Sequence, residues 1–269
     1  MAKFTLTNGK IIVKPFNKIW LVLGALIALV ILFSYFIPLD LVNFKPDQLP
    51  IVLKKMFTPQ RNRTWADYFE FIFSLQDLLV LTLQMCYGGT VLGSLLAIPL
   101  ALLSSKNIVK TKFVYGPARF ILNLFRTIPV TILAVLSISM VGSGVLAGIF
   151  AMMFFTFGIM AKMLYEVIET IDMNCYEALE STGANKLQSV RFAVLPQVFP
   201  VFIGYVMYIF EINVRSSAIL SYVGVASLGN VIRENELIGY DRIGGAIIVI
   251  FVTSLIVQFL SSAIRRKLQ

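Results

Sequence analysis

Apolar positions in this chain come in long unbroken runs, not in the one-sided stripe of a surface helix or the alternation of a half-buried strand. Six runs stand out, over 19–37, 77–103, 118–140, 143–164, 198–220 and 243–264. Each is close to the ~20 residues that a helix needs to cross a ~30 Å hydrocarbon layer. In lipid only helices and closed barrels satisfy their own backbone groups, and barrel strands would alternate apolar and polar residues over short segments. The pattern predicts an all-α fold, a polytopic transmembrane bundle of about six spans. The third run is interrupted by Pro117, Arg126 and Pro129. It is either a span or, over 117–126, a segment lying along the membrane surface.

Between the runs the polar stretches set the organisation: a tail over 1–18, a transmembrane domain over 19–264, and a short tail over 265–269. Within the domain, 38–76 forms one long loop and 165–197 another. Pro38, Pro46, Pro50 and Pro59 argue against a single helix in the first loop. Trp65, Tyr68 and Phe69 there, and Trp20 on the other face, suit the headgroup level. The first run follows Lys3, Lys10, Lys14 and Lys18 and has no small-residue cleavage signal after it, so it reads as a retained helix. Neither an internal repeat nor a low-complexity segment stands out.

Composition agrees with the pattern. Charged residues make up 14% of the chain, against about 25% in an ordinary soluble domain. The formal net charge of +9 is read as an orientation signal and not as a nucleic-acid footprint. Lys106, Lys110, Lys112, Arg119, Lys162, Lys186, Arg191, Arg265, Arg266 and Lys267 join the four N-terminal lysines on one side. The other side holds Lys45, Lys54, Lys55, Arg61, Arg63, Arg233 and Arg242. That two-to-one bias places both termini in the cytoplasm.

The chain has no histidine and two cysteines, Cys86 in an apolar run and Cys175 in a polar loop. This excludes His-based nucleophilic and metal chemistry and argues against a disulfide framework. No G-x-x-x-x-G-K-[ST] occurs, so ATP is not expected on this chain. Gly142, Gly144 and Gly148 read as close helix packing. Glu166, Glu169 and Asp172 read as a solvated acidic face.

The loop over 165–197 is too polar to span and too patterned for a slack linker. Residues 176–181 favour a helix, and Thr182-Gly183 breaks it, because glycine accepts the left-handed conformation that ends helices. Asn185 can cap a second helix running to Val194, which Pro196 closes before the next span. Two short helices about a glycine turn make a knob, which either docks into a partner's groove or packs beneath the membrane.

The order Glu177-Ala178-Leu179, then Gly183, then Leu195-Pro196 resembles the EAA loop of ABC importer permeases. The stretches LTLQMCYGGTVLGSLLAIPLALLSS, ARFILNLFRTIPV and YIFEINVRSSAILSYVG are similar to the phosphonate-type branch of that family. The likeness runs from Leu81 to the C-terminus. The branch's glycine-rich stretch after Val223-Gly224 reads Val225, Ala226, Ser227, Leu228, Gly229 here, with Ala226 and Ser227 where glycines are usual.

The resemblance implies a type I importer permease in a bacterial plasma membrane, with the loop as a coupling helix. Its contact and turn residues would be Glu177, Ala178, Leu179, Gly183, Leu195 and Pro196. It also implies partners: ATPase subunits carrying ATP and magnesium, a second permease subunit (this chain again or a sister), and an external solute-binding protein docking on 38–76 and 221–242. No cofactor is expected on this chain itself.

Charges inside the spans are the remaining candidates. Glu211 and Arg215 lie one turn apart in the favourable order. At a helix centre each would cost ~2.5–3.5 kcal/mol, so neither should face lipid. The pair either fixes packing or lines the route. Arg126 either faces an anion path or snorkels to headgroups. Asn213, Ser216 and Ser217, beside the pair, offer donors for phosphoryl oxygens. A positive lining suits an oxyanion such as phosphonate, phosphite or phosphate. Two rivals predict other signs: a membrane-embedded enzyme needs clustered carboxylates or histidines, and a stand-alone carrier needs inverted repeats with paired broken helices.

Overall fold

A computed structural model of the chain describes residues 3–5, 11–13, 18–36, 45–221, 224–225, 227–235 and 239–268. They fall into two compact units, Met1–Pro50 and Ile51–Gln269.

In the first unit, strand β1 (Lys3–Thr5) pairs antiparallel with β2 (Ile11–Val13), Phe4 opposite Ile12. The β-branched run Ile11-Ile12-Val13 is the local signal for this pairing. Helix α1 (Lys18–Phe36) follows, and its side chains from Ile19 to Ser34 are all exposed. Ile37 and residues 38–44 of the expected loop lie outside the described residues, as do Lys10 and Lys14.

Among its described residues the second unit has helices joined by turns and no strand. Helix α2 (Gln48–Met56) starts three residues before the division and is followed by α3 (Trp65–Ser74), α4 (Gln76–Ser104), α5 (Lys112–Thr127), α6 (Val130–Val141) and α7 (Val145–Thr170). Then come α8 (Asn174–Ser181), α9 (Lys186–Ser189), α10 (Leu195–Leu220), α11 (Gly229–Asn235) and α12 (Tyr240–Leu268). Among the described residues four stretches are long and apolar enough to cross a membrane, Trp65–Ser104, Val145–Thr170, Lys186–Leu220 and Tyr240–Lys267, or five if the bent pair Lys112–Thr127 and Val130–Val141 is one span, against about six expected; the apolar stretch Ile19–Ser34 is shorter. Helix α3 is started by a reciprocal cap, in which the Thr64 hydroxyl accepts from Asp67 N and Asp67 accepts from Thr64 N.

The third run is not one rod. Helices α5 and α6 meet at a 95° bend. Ile128 precedes Pro129 and sits extended, at φ −78° and ψ 121°, because the proline ring disfavours the helical region for its predecessor. Helix α5 runs along α7: Arg119 pairs with Glu169, Leu122 is buried in a cluster with Met160 and Ala161, and the Phe125 ring meets Phe154 and Phe157.

Helices α4 and α7 share the most extensive contact in the bundle. It depends on missing side chains. A Cβ at Gly93 would lie 2.5 Å from the Met153 carbonyl oxygen, and one at Gly148 would lie 1.8 Å from Met85 Sδ. The expected glycine pattern thus splits: Gly148 packs helices, while Gly142 and Gly144, at φ +81° and +144°, make the turn between α6 and α7.

Candidate coupling loop and charged helix face

The loop over 165–197 is built outward from a core. Tyr176, Val190, Ala193 and Val194 are buried with Ala101, Ile108, Leu164, Ile168 and Val198 at the ends of α4, α7 and α10. Burial, and then the neighbouring Glu180 carboxylate, push the Tyr176 phenol up from its ordinary pKa. This anchoring fixes where α8 sits and leaves its other side free.

Glu177 and Ala178 are exposed there, while Leu179 packs partly into the core. The turn that ends α8 is tied down by Gly183 N donating to Glu180 O and Ala184 N donating to Leu179 O. Gly183 sits at φ +91°, in the region that favours glycine. Asn185 and Gln188 then cap each other's backbone at the start of α9.

One expectation about this loop fails. Pro196 does not close the second helix. Helix α9 passes through a π-helical turn, Val190–Val194, directly into α10. Leu195 N donates to Val190 O, five residues back. In an α-turn the Pro196 ring would collide with the carbonyl of Phe192 and leave it unpaired; the wider turn makes room. Leu195 and Pro196, both exposed, are therefore part of a continuous rod from Lys186 to Leu220.

The acidic strip also has assigned contacts. Glu169 takes the Arg119 guanidinium and accepts from Lys106 N. Arg119 also donates to Ser104 O and lies over the Tyr165 ring at 4.6 Å. Asn107 donates to the Ile168 and Glu169 carbonyls. Glu166 meets Lys162 at 3.5 Å, and Asp172 accepts from Asn174 N. Glu169 thus fastens α5 and the end of α4 to α7, while Glu166 and Asp172 stay exposed, as expected of a solvated face. No spacing rule links Arg119 to Glu169, fifty residues away.

Further up the rod, Glu211 and Arg215 form the expected ion pair, with Arg215 Nη2 donating to Glu211 Oε1. Their surroundings differ: the Glu211 side chain is 5% exposed and that of Arg215 is 55% exposed. The carboxylate is held inside while the cation stands on the open face of α10. Ser216 is half-buried.

Asn213 and Ser217 turn the other way, which corrects their expected place along a route. Asn213 is fully buried, and its Nδ2 donates to Thr90 Oγ1 of α4 and Thr156 Oγ1 of α7, both at 2.8 Å. It cross-links three helices and has no donor left for a solute. Ser217 is buried, donates to Val214 O, and its carbonyl accepts from Ser227 Oγ. Ala226, the other glycine replacement, lies outside the described residues. Arg126 is exposed at the end of α5, and its backbone N would be 3.0 Å from a Cβ at Gly158 of α7. Among the described residues it has no acidic partner.

At the far end of α12, Arg63 pairs with buried Asp241 at 2.6 Å, and Gln60 N reaches the same carboxylate at 3.4 Å. This folds the segment after α2 over the α12 N-terminus, where Gly244 leaves space for the Met56 carbonyl. The sequence reading did not reach two exposed features of the 165–197 loop. Leu187 is 77% exposed at the start of α9, and Phe192 is 65% exposed within the π turn. An apolar residue inside the polar run Ala184-Asn185-Lys186-Leu187-Gln188-Ser189 was the available signal for the first.

Comparison with known proteins places this architecture. The family model described as binding-protein-dependent transport system inner membrane component matches residues 89–269. The phosphite transport system permease protein PtxC of Stutzerimonas stutzeri is 30% identical over 189 residues, covering 70% of this chain and 69% of that protein. The phosphate-import permease protein PhnE of Mycolicibacterium smegmatis is 35% identical over 181 residues, covering 67% of this chain and 34% of that protein. HtxC of S. stutzeri, 31% identical over 68% of this chain, is spanned over 66% of its length. In fold, a chain from the MetNI methionine ABC transporter in an inward-facing conformation aligns with a TM-score of 0.66 at 24% identity, covering 72% of this chain and 96% of that one. The match takes in the core-anchored loop, the rod that grows from it and the bundle from the middle of α4 onward, and on it the chain belongs to the family of binding-protein-dependent transport system inner membrane components.

Proposed function

We propose that this chain is the membrane-spanning permease subunit of an ATP-driven importer and that its solute is a phosphorus oxyanion, namely phosphite, a phosphonate or phosphate. One observation carries the reading: an unbroken helical rod joins the exposed loop around Glu177 and Leu187 to the exposed cation Arg215. A displacement of the loop is thus passed toward the charged face along one continuous helical stretch, through the π turn at Val190–Val194. The relatives PtxC, a phosphite permease, and PhnE, a phosphate-import permease, support the choice of solute.

In this reading both termini are cytoplasmic and two permease subunits face each other across the route. The ATPase subunits hold ATP and magnesium and grip the loop, and an external binding protein delivers the solute. Closure of the ATPases draws the loops together and opens the route outward. Hydrolysis returns it inward. Glu211 holds the Arg215 stem from its buried side, and the guanidinium donates to the anion as it passes.

The test is uptake by proteoliposomes containing the chain with its ATPase and binding protein. ATP-dependent accumulation of radiolabelled phosphite or phosphate is expected. Arg215→Gln should lower it about tenfold or more while the ATPase still turns over. Accumulation of an uncharged solute with no phosphorus oxyanion carried would overturn the reading. Uptake unchanged by Arg215→Gln would reduce the ion pair to a packing element.

A further inference from the structure

A cavity of 530 Å³ opens between α7, α10 and α12, lined in part by Met163, Pro200, Gly204, Tyr205, Tyr208 and Arg265. It is large enough for a small tetrahedral anion with water. Its polar groups are of one kind. A guanidinium offers only donors, and a phenol offers a donor to an anion. Among the described residues, Arg265 has no carboxylate partner and neither tyrosine hydroxyl has a protein hydrogen bond. The nearest acids along these helices are engaged, Glu166 with Lys162 and Glu211 with Arg215.

Gly204 admits the cation. A Cβ there would lie 3.6 and 3.8 Å from Cγ and Cδ of Arg265, so the arginine stem crosses α10 at the residue with no side chain. The cavity is also in line with the charged face. Gly204, Tyr208 and Arg215 recur at spacings that keep them on one side of α10. Tyr208 and Arg215 are both exposed on that side, two turns or about 10 Å apart along the axis. A cation thus stands at each end of a short track on one helix, with a phenol between.

We propose that Arg265, with Tyr205 and Tyr208, forms a second oxyanion-binding site, which receives the anion after Arg215 and holds it on the cytoplasmic side before release. The proposal rests on the phosphorus-oxyanion reading for its ligand, but the cavity can be tested separately from transport.

The probe is radiolabelled inorganic phosphate in equilibrium dialysis against the assembled, nucleotide-free transporter, with uptake measured on the same preparation. An Arg215→Gln background removes the upper cation. In that background phosphate is expected to remain bound, with a further Arg265→Gln weakening it about tenfold or more and Arg265→Lys restoring part. Tyr208→Phe should weaken it by a smaller factor, and it carries the test if the arginine variant fails to assemble. Binding that is indifferent to both Arg265→Gln and Tyr208→Phe overturns the proposal, as does a background protein that binds no phosphate at millimolar concentration. Arg265-dependent binding, with no ATP-driven uptake of any phosphorus oxyanion by the transporter that retains Arg215, upholds the cavity and overturns the transport reading instead.

Discussion

Leu187→Asp is expected to strip the ATPase from the purified transporter while leaving the permease folded. Leu187 is 77% exposed at the start of α9, outside the core that anchors the loop, so its replacement removes no packing within this chain. Surface changes of that kind usually stay within about 0.5 kcal/mol of neutral. The docked state is different. Burying a leucine against a partner is worth about 1.5–3 kcal/mol, and a carboxylate in the same place would be desolvated without a partner. Together they correspond to a loss of roughly a hundredfold or more in affinity. Recovery of the ATPase subunit with a tagged permease reads the effect directly, and Leu187→Met should preserve it because length and apolarity are kept. Full recovery and full uptake with Leu187→Asp would mean that the knob is not the gripped surface. Gly183 supplies an internal comparison. Nothing lies within 4 Å of a Cβ there, yet φ is +91°. Gly183→Ala should therefore cost only the ~1–2 kcal/mol of a left-handed residue, and Gly183→Asn less.

Gly93→Val should prevent the bundle from forming. The new Cβ would sit 2.5 Å from a backbone oxygen, that of Met153, and 2.7 Å from Thr156 Cβ. A flexible side chain could swing aside, but a carbonyl inside α7 cannot move without carrying its helix with it. Separating α4 from α7 would also pull on Thr90 and Thr156, which Asn213 ties together. The effect belongs with severe overpacking, at about 4 kcal/mol or more. The measurement is the monodisperse fraction of membrane extract on size exclusion and its thermal midpoint in detergent. Gly93→Val is expected to yield little folded protein, and Gly93→Ala a markedly lower midpoint. Wild-type behaviour of Gly93→Val would show that α4 and α7 do not approach as closely as described.

Chain-local physics carried much of the reading. Long apolar runs announce spanning helices whatever packs beside them, and α4, α7, α10 and α12 follow the runs over 77–103, 143–164, 198–220 and 243–264. The break at Thr182-Gly183 and the cap at Asn185 depend on a few neighbouring residues, and both appear where the residue types place them. The Glu211–Arg215 pair follows from one-turn spacing alone. Other features needed the neighbours. An apolar run does not say whether a proline inside it bends the chain or is absorbed: Pro129 gives a 95° bend, whereas Pro196 is absorbed by a π turn.

Asn213, Arg215 and Ser217 are nearly adjacent in sequence, yet one faces three helices, one faces open space and one is sealed under Ser227. Helical periodicity fixes the angle between them but not which direction meets a neighbour. Arg119 and Glu169 offered no spacing to read, because their meeting depends on α5 running along α7. Arg265 reads as one more basic residue near the end of a helix until the fold lays it over Gly204 and beside two tyrosines. The sequence by itself determined the membrane class, the knob and the ion pair, since each is set by residues within a turn or two of one another. Only the tertiary structure decided which faces of α10 are packed, charged or open, since that depends on α4, α7 and α12 closing around it from far along the chain.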